Sequence, residues 1–380
     1  MDHGSYRDTW VEVSLDAIKS NVKSFKKHIQ EKTMLMAVVK ADGYGHGAVH
    51  VANAAIQSGA GYIGVAFLDE ALKLREAGIV TPILVLGYTS PAAVSEAVKN
   101  DITFTIYSDE SVPEIRKAAK DFKKQAKVHL KIDTGMSRIG IRDRKEALKV
   151  CQSLNSSDIL LEGIFTHFAD ADNVDSTYTY KQFENFNGVI KYLEDHHVKI
   201  PIKHCCNSAG TIAYPDMHMD MVRVGISLYG LYPSSHLQDK IKLKQAMTFR
   251  TKPVMIKPLE AGEPISYGCT YVAKESSTIA TLPVGYADGF SRQLSNKGRA
   301  TVNGVHVPIV GRICMDQTMI DVSSVESLGY DDVVTLFGDP EDGYISLGEV
   351  ADQMNTIHYE TVCLIGKRVP RVYTQDGEFL

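Results

Sequence analysis

The sequence has no surplus of positive charge. Lys and Arg number 41 against 46 Asp and Glu, a net of −5, which argues against a nucleic-acid binder working through a broad basic face. It has no apolar run near the ~18 residues of a bilayer span, so no membrane crossing is expected. The first residues, MDHGSYRDTWVEV, lack the apolar core of a secretory leader, and the expected address is the cytoplasm. Cysteine is sparse. Cys151, Cys205, Cys206, Cys269, Cys314 and Cys363 form no C-x-x-C pair, so they read as reduced thiols, neither a zinc site nor a disulfide scaffold. No H-E-x-x-H spacing is present and no metal is expected. Solenoid-period repeats and low-complexity tracts are also missing.

What is present is alternation. Short apolar runs stand at residues 35–42, 62–67, 82–88, 103–108, 127–133, 160–168, 202–208 and 221–230. Helix-like segments such as 68–77, 91–99 and 111–122 fall between them. Eight β units with helical spacers predict a (β/α)8 barrel, an α/β fold of TIM type. A doubly wound open sheet is the alternative, but no G-x-G-x-x-G follows the first strand. A helix before that strand is predicted from Leu15, Ile18, Val22, Phe25 and Ile29 on one face, with Ser14 as N-cap. After residue 240 the pattern turns to strand alternation, Gly turns and Pro, with helical signal confined mostly to 347–354. We therefore expect residues 1–240 to form the barrel and 241–380 a separate β-rich domain.

The first barrel strand runs into VVKADGYGHG, which puts Lys40 at its C-terminal end. That end of a barrel collects catalytic residues. A lysine in an apolar setting holds its proton weakly, which suits Schiff-base chemistry; a rim lysine that snorkels to water is the plain alternative. Gly43, Gly45 and Gly47 suggest a flexible loop. Strand seven ends in CNSAG at residues 206–210 and enters a helix, a junction that points backbone N–H groups outward. Strand eight carries Arg223-Val224-Gly225-Ile226. Loops after strands seven and eight often build barrel phosphate sites. A strand-one lysine and a phosphate cradle on one face make the geometry of a pyridoxal phosphate (PLP) site; two ordinary turns are the alternative.

With these residues in place, the chain resembles the alanine racemases, the fold-type III PLP enzymes. The resemblance rests on AVVKADGYGHG (37–47), KIDTGMSRIG (131–140), HFADAD (167–172), CNSAG (206–210) and RVGISLYG (223–230). ISYGCTY, LPVGYADGF, GRICMDQ and RVPR follow from residues 265, 282, 311 and 368, in one shared order. It implies that Lys40 carries the cofactor and acts as one base, and that Tyr267, delivered from a second subunit of a homodimer, is the opposing base. It implies that Tyr44, Ser208, Gly225, Ile226 and Tyr359 hold the phosphate, with Leu86 and Asn207 also lining the cofactor. Arg223 would face the pyridine nitrogen, His167 would fix Arg223, and Arg138 would serve both cofactor and substrate. Met315, through its backbone N–H, would help hold the substrate carboxylate. The implied reaction interconverts L- and D-alanine, supplying D-alanine for peptidoglycan; Tyr267, Tyr286 and Tyr359 would crowd the pocket to suit a small side chain.

Two residues add chemistry to this reading. A guanidinium cannot accept a proton, so Arg223 would leave the cofactor nitrogen unprotonated and the ring a weaker electron sink. The alternative for Arg223 is a barrel-interior ion pair. Lys131 shares the inward face of its strand with His129 and Asp133, where an unpaired ammonium is costly. Carbamylation, known in some members of the resembled family, would let it pair with Arg138; a salt bridge to Asp133 or another acid is the alternative. His129, His204 and His218 read as packed or exposed histidines. A decarboxylase of the same fold type and a non-catalytic PLP-binding protein are the competing functions.

Overall fold

The computed structural model describes residues 6–380. The chain forms two compact units. One comprises Ile18–Gly43 and Ala48–Leu243; the other comprises the N-terminal residues through Ala17, Tyr44–Gly47 and Lys244–Leu380.

The chain enters through a strand, β1 (Thr9–Ser14), and a helix, α1 (Leu15–His28). The Ser14 hydroxyl accepts the Ala17 N–H at 3.1 Å, the N-cap expected from sequence. Leu15, Ile18, Val22, Phe25 and Ile29 are all buried, each contributing about 1.5–3 kcal/mol of transfer free energy at most.

Eight parallel strands follow: β2 (Met34–Val38), β3 (Tyr62–Val65), β4 (Ile83–Val85), β5 (Thr103–Ile106), β6 (Ala126–Lys131), β7 (Ile159–Phe165), β8 (Ile202–His204) and β9 (Met221–Val224). They pair in sequence order from β2 to β8, and β9 pairs with β2. Two backbone bonds complete the ring: Asp220 N–H to Lys203 C=O and Arg223 N–H to Cys206 C=O, each 3.1 Å. This is the expected barrel and not an open sheet. Most of its strand residues are buried, with β7 and β8 half-buried in part, and His129 and Lys131 are buried along with the apolar residues of β6.

The second unit is β-rich. Its main sheet has seven strands, with β1 between Met247–Thr251 (antiparallel) and Arg371–Gln375 (parallel). A three-stranded sheet of Met255–Leu259, Ser277–Leu282 and Thr318–Asp321 accompanies it. Neither β1 nor the short helix His358–Leu364 was expected from the sequence.

Candidate active site

Strand β2 stops at Val38, short of the expected run to residue 42, because the chain then winds the wrong way. Ala41 (φ 52°, ψ 49°), Asp42 (φ 53°, ψ 49°) and Gly43 (φ 62°, ψ 43°) form a left-handed turn, and Tyr44 continues it at φ 51°. The Gly43 N–H closes it on Val39 C=O at 2.8 Å. For L-residues this hand costs about 1–2 kcal/mol apiece, so the turn needs external support. Glu70 supplies it: one oxygen accepts the Ala41 N–H at 2.6 Å, the other the N–H groups of Ala66 (2.7 Å) and Phe67 (3.2 Å). Asp42 accepts the Ala48 N–H at 2.9 Å. Lys40 stands exposed at the head of this turn. The glycines that follow serve a set path, not a flexible loop. Gly45 has φ +78°, and a Cβ there would lie 2.5 Å from the Val362 carbonyl oxygen.

Arg223, on β9, is buried and among the described residues has no carboxylate against it, so the alternative of an interior ion pair finds no partner there. Its Nη1–H donates to His204 Nδ1 at 2.9 Å. Its Nη2 lies 2.8 Å from Thr166 C=O, 3.0 Å from Cys205 C=O and 3.1 Å from His167 Nδ1. Among the described residues no acceptor meets its Nε–H. Burial lowers the guanidinium only to about 10, so it stays charged at neutral pH. Burial, then Arg223, Lys131, Arg138 and Lys40, push His167 well below the usual imidazole range. His167 is thus neutral, and Nδ1 accepts from Arg223.

Lys131 is buried, 5.1 Å from the centroid of the Phe165 ring, with no carboxylate in ion-pair contact among the described residues. Asp133 does not serve it. That carboxylate accepts N–H groups from Gly135 (3.1 Å) and Ser137 (2.9 Å) and pairs with Arg142 at 3.2 Å. These bonds shape the loop carrying Arg138. Burial and then Arg138, Arg223 and Lys40 bring the Lys131 amine down to about 7.

Asn207 caps the helix Ser208–Ala213, accepting the Gly210 N–H at 2.9 Å. The Ser208 hydroxyl accepts the Gly225 N–H at 2.9 Å, which ties together the two turns expected to bind phosphate. Ile226 is buried and opens the turn Ile226–Tyr229. Leu86 is half-buried just past β4, its N–H on Val65 C=O at 2.8 Å.

The β-rich unit holds the remaining expected residues. Tyr44 and Tyr359 lie with ring centroids 6.4 Å apart. Tyr267 is 71% exposed, beside a groove lined by Lys257, Ser266, Cys314 and Gln317. Ser266 before it sits at φ 65°, ψ −177°, a region nearly confined to glycine, and its hydroxyl donates to Arg312 C=O at 2.6 Å. Met315 is exposed in a turn whose carbonyls at Cys314 and Met315 accept from Tyr286 and Ala287, each at 3.1 Å. Its own N–H meets no acceptor among the described residues. The sequence reading passed over His129, His204, Glu70 and Glu162 as site-supporting residues; the V-H-L and K-H-C-C contexts of the histidines carry no spacing signal.

Arg138, Arg223 and Lys40 all act electrostatically on Lys131, and among the described residues no acid forms an ion pair with Arg138, Arg223 or Lys131. Such a cluster suits a dianionic ligand with an aldehyde for the lysine, and the residues present fit PLP. The fold and site define the class of barrel-type PLP enzymes. The family model for the alanine racemase N-terminal domain matches residues 13–233, and that for the C-terminal domain matches residues 246–373. Alanine racemase 1 of Oceanobacillus iheyensis is 63% identical over 371 residues, 97% of this chain and 99% of its own. The solved alanine racemase from Bacillus anthracis with bound L-Ala-P has a TM-score of 0.92 at 43% identity, covering 99% of this chain and 97% of its own. A histidine racemase from Leuconostoc mesenteroides subsp. sake has a TM-score of 0.88 at 30% identity, covering 97% and 99%. The chain belongs to the alanine racemase family, whose cofactor is pyridoxal 5'-phosphate.

Proposed function

We propose that the protein interconverts L- and D-alanine by a two-base transfer of the α-proton, with Lys40 on one face of the substrate and the partner subunit's Tyr267 on the other. PLP, when bound, supplies the electron sink that makes the α-proton acidic. Lys40 holds the cofactor, and its amine takes or returns the proton on its own face. Arg223 directs a charged donor at the ring nitrogen, His167 braces Arg223, and Arg138 and the Met315 N–H orient the substrate. Tyr44, Leu86, Asn207, Ser208, Gly225, Ile226 and Tyr359 line or hold the cofactor. The part of the chain through residue 240, with Tyr359, binds the cofactor, and Tyr267 and Met315 from residues 241–380 complete the partner's site in a cytoplasmic homodimer.

The observation that carries this reading over a decarboxylase is Arg223. A buried guanidinium bonded to two histidines and two carbonyls, with no carboxylate among the described residues, keeps the electron sink weak. Weak delocalisation favours simple reprotonation. Alanine is favoured as substrate by the full-length identity to alanine racemases; the histidine racemase of the same fold makes a substrate panel necessary. The test is racemisation of L-alanine, L-serine and L-histidine by the purified protein. D-alanine formation well above the others is expected, in line with a role in peptidoglycan supply. Coloured protein inert to all three would favour a cofactor carrier, and release of CO2 a decarboxylase.

A further inference from the structure

Arg223 is the head of a longer chain of hydrogen bonds. A guanidinium only donates, so His204 Nδ1 must accept and the His204 ring proton must sit on Nε2. That nitrogen lies 2.9 Å from His129 Nδ1. His129 Nδ1 must accept in turn, which places its proton on Nε2, 3.1 Å from Glu162 Oε2. Tyr62 Oη lies 2.7 Å from the same oxygen and 2.9 Å from Thr103 Oγ1. Each assignment forces the next. A doubly protonated imidazole would break the logic, but burial lowers the pKa of both histidines, with Arg223 adding to it.

The fold makes room for this chain. His129, Glu162, His204 and Arg223 come from the four successive strands β6, β7, β8 and β9. A Cβ at Gly163 would stand 2.4 Å from the His129 ring, so glycine is required there. The Phe165 ring stacks on His204 at 4.8 Å and 8°. Burial would raise the Glu162 carboxyl, but its bonds to His129 and Tyr62 outweigh that and hold it below its usual range.

We propose that Glu162, His129 and His204 are positioning residues that form a one-way relay, with Glu162 as the distant counter-charge of Arg223 and both histidines locked as Nε2–H tautomers. Every proton in the relay points away from Arg223, so no proton path leads up to it. The catalytic consequence rests on Arg223 facing the cofactor nitrogen; the relay itself does not.

The test labels the histidine rings with 15N in the holoenzyme and in the variants Glu162→Leu and Glu162→Gln. In the wild type, His129 and His204 should both read as neutral Nε2–H tautomers at neutral pH. Glu162→Leu removes the terminal acceptor, so the His129 tautomer should become mixed. Its kcat should fall about 10- to 100-fold with KM little changed, the loss of one charge-assisted hydrogen bond. Glu162→Gln keeps an acceptor and should restore the tautomers and part of kcat; it also carries the test if the Leu variant does not fold. An Nδ1–H or doubly protonated ring in the wild type overturns the relay. Wild-type kcat in both variants overturns the positioning role of the three residues. Failure of the wild type to racemise alanine would instead strike the proposed function and leave the tautomer result standing.

Discussion

Lys131 is a buried amine with Arg138, Arg223 and Lys40 bearing on it and, among the described residues, no acid in ion-pair contact. Its folded pKa, about 7, lies below the ordinary lysine value of about 10.4. Between those two values the unfolded chain binds more protons at this residue than the folded one, so stability rises with pH across that window. Below it the folded state carries the charged amine at full cost. Cofactor-free protein in CO2-depleted buffer should therefore gain unfolding free energy from about pH 7 to about pH 10, by an amount of the order of a few kcal/mol, read as a rise in Tm. Lys131→Met should remove that gain and be most stabilising at the acid end. Parallel pH profiles for the two proteins would show that Lys131 has an unseen partner. We further propose the carbamate: labelled 13C-bicarbonate should give a carbonyl signal in the holoenzyme that Lys131→Met lacks. Lys40 has a simpler test. The holoenzyme should absorb in the region of roughly 400–430 nm and bleach with borohydride, and folded Lys40→Ala should do neither.

At the scale of elements, the left-handed turn after β2 is a costly piece of backbone near the site, and the Glu70 carboxylate braces it from outside. Glu70→Ala would strip the acceptor from Ala41, Ala66 and Phe67 at once. We expect faster hydrogen exchange at the Ala41 amide and cofactor retention weakened about tenfold or more, the effect of one lost charged hydrogen bond near the lysine. Unchanged exchange at Ala41 would mean the turn holds itself. The same turn shows where sequence reading stops. The apolar run into Lys40 was legible, since alternation is a local signal, but the reversal of hand is not written in K-A-D-G-Y. Strand β1 escaped for a related reason. Its short T-W-V-E-V-S alternation becomes a central strand only through partners such as Thr251, 242 residues away. The helix His358–Leu364 buries only Thr361 and Val362, too little periodicity to stand out, although Tyr359 was found by its place before RVPR. The donor chain from Arg223 was hidden because its members are neighbours across strands.

For the whole molecule, the distribution of reactive groups between the two units is the point to explain. Lys40 belongs to the barrel unit; Tyr267 and Met315 belong to the β-rich unit, each with an exposed side chain. Tyr267 rides on a backbone held at an unusual angle by Ser266, the kind of strain that clusters at functional sites. In the proposed two-fold dimer, each site takes Lys40 from one protomer and Tyr267 of the partner subunit. Lys40→Ala and Tyr267→Ala homodimers should each be nearly inactive, because every site lacks one base. Mixed in equal amounts and allowed to exchange, about half of the dimers become heterodimers. Each heterodimer has one site with both substitutions and one site with neither. Activity should therefore return to about a quarter of the wild-type value. If mass analysis shows that subunits have exchanged and activity stays at the level of the single variants, then Lys40 and Tyr267 act within one chain and the shared site is wrong.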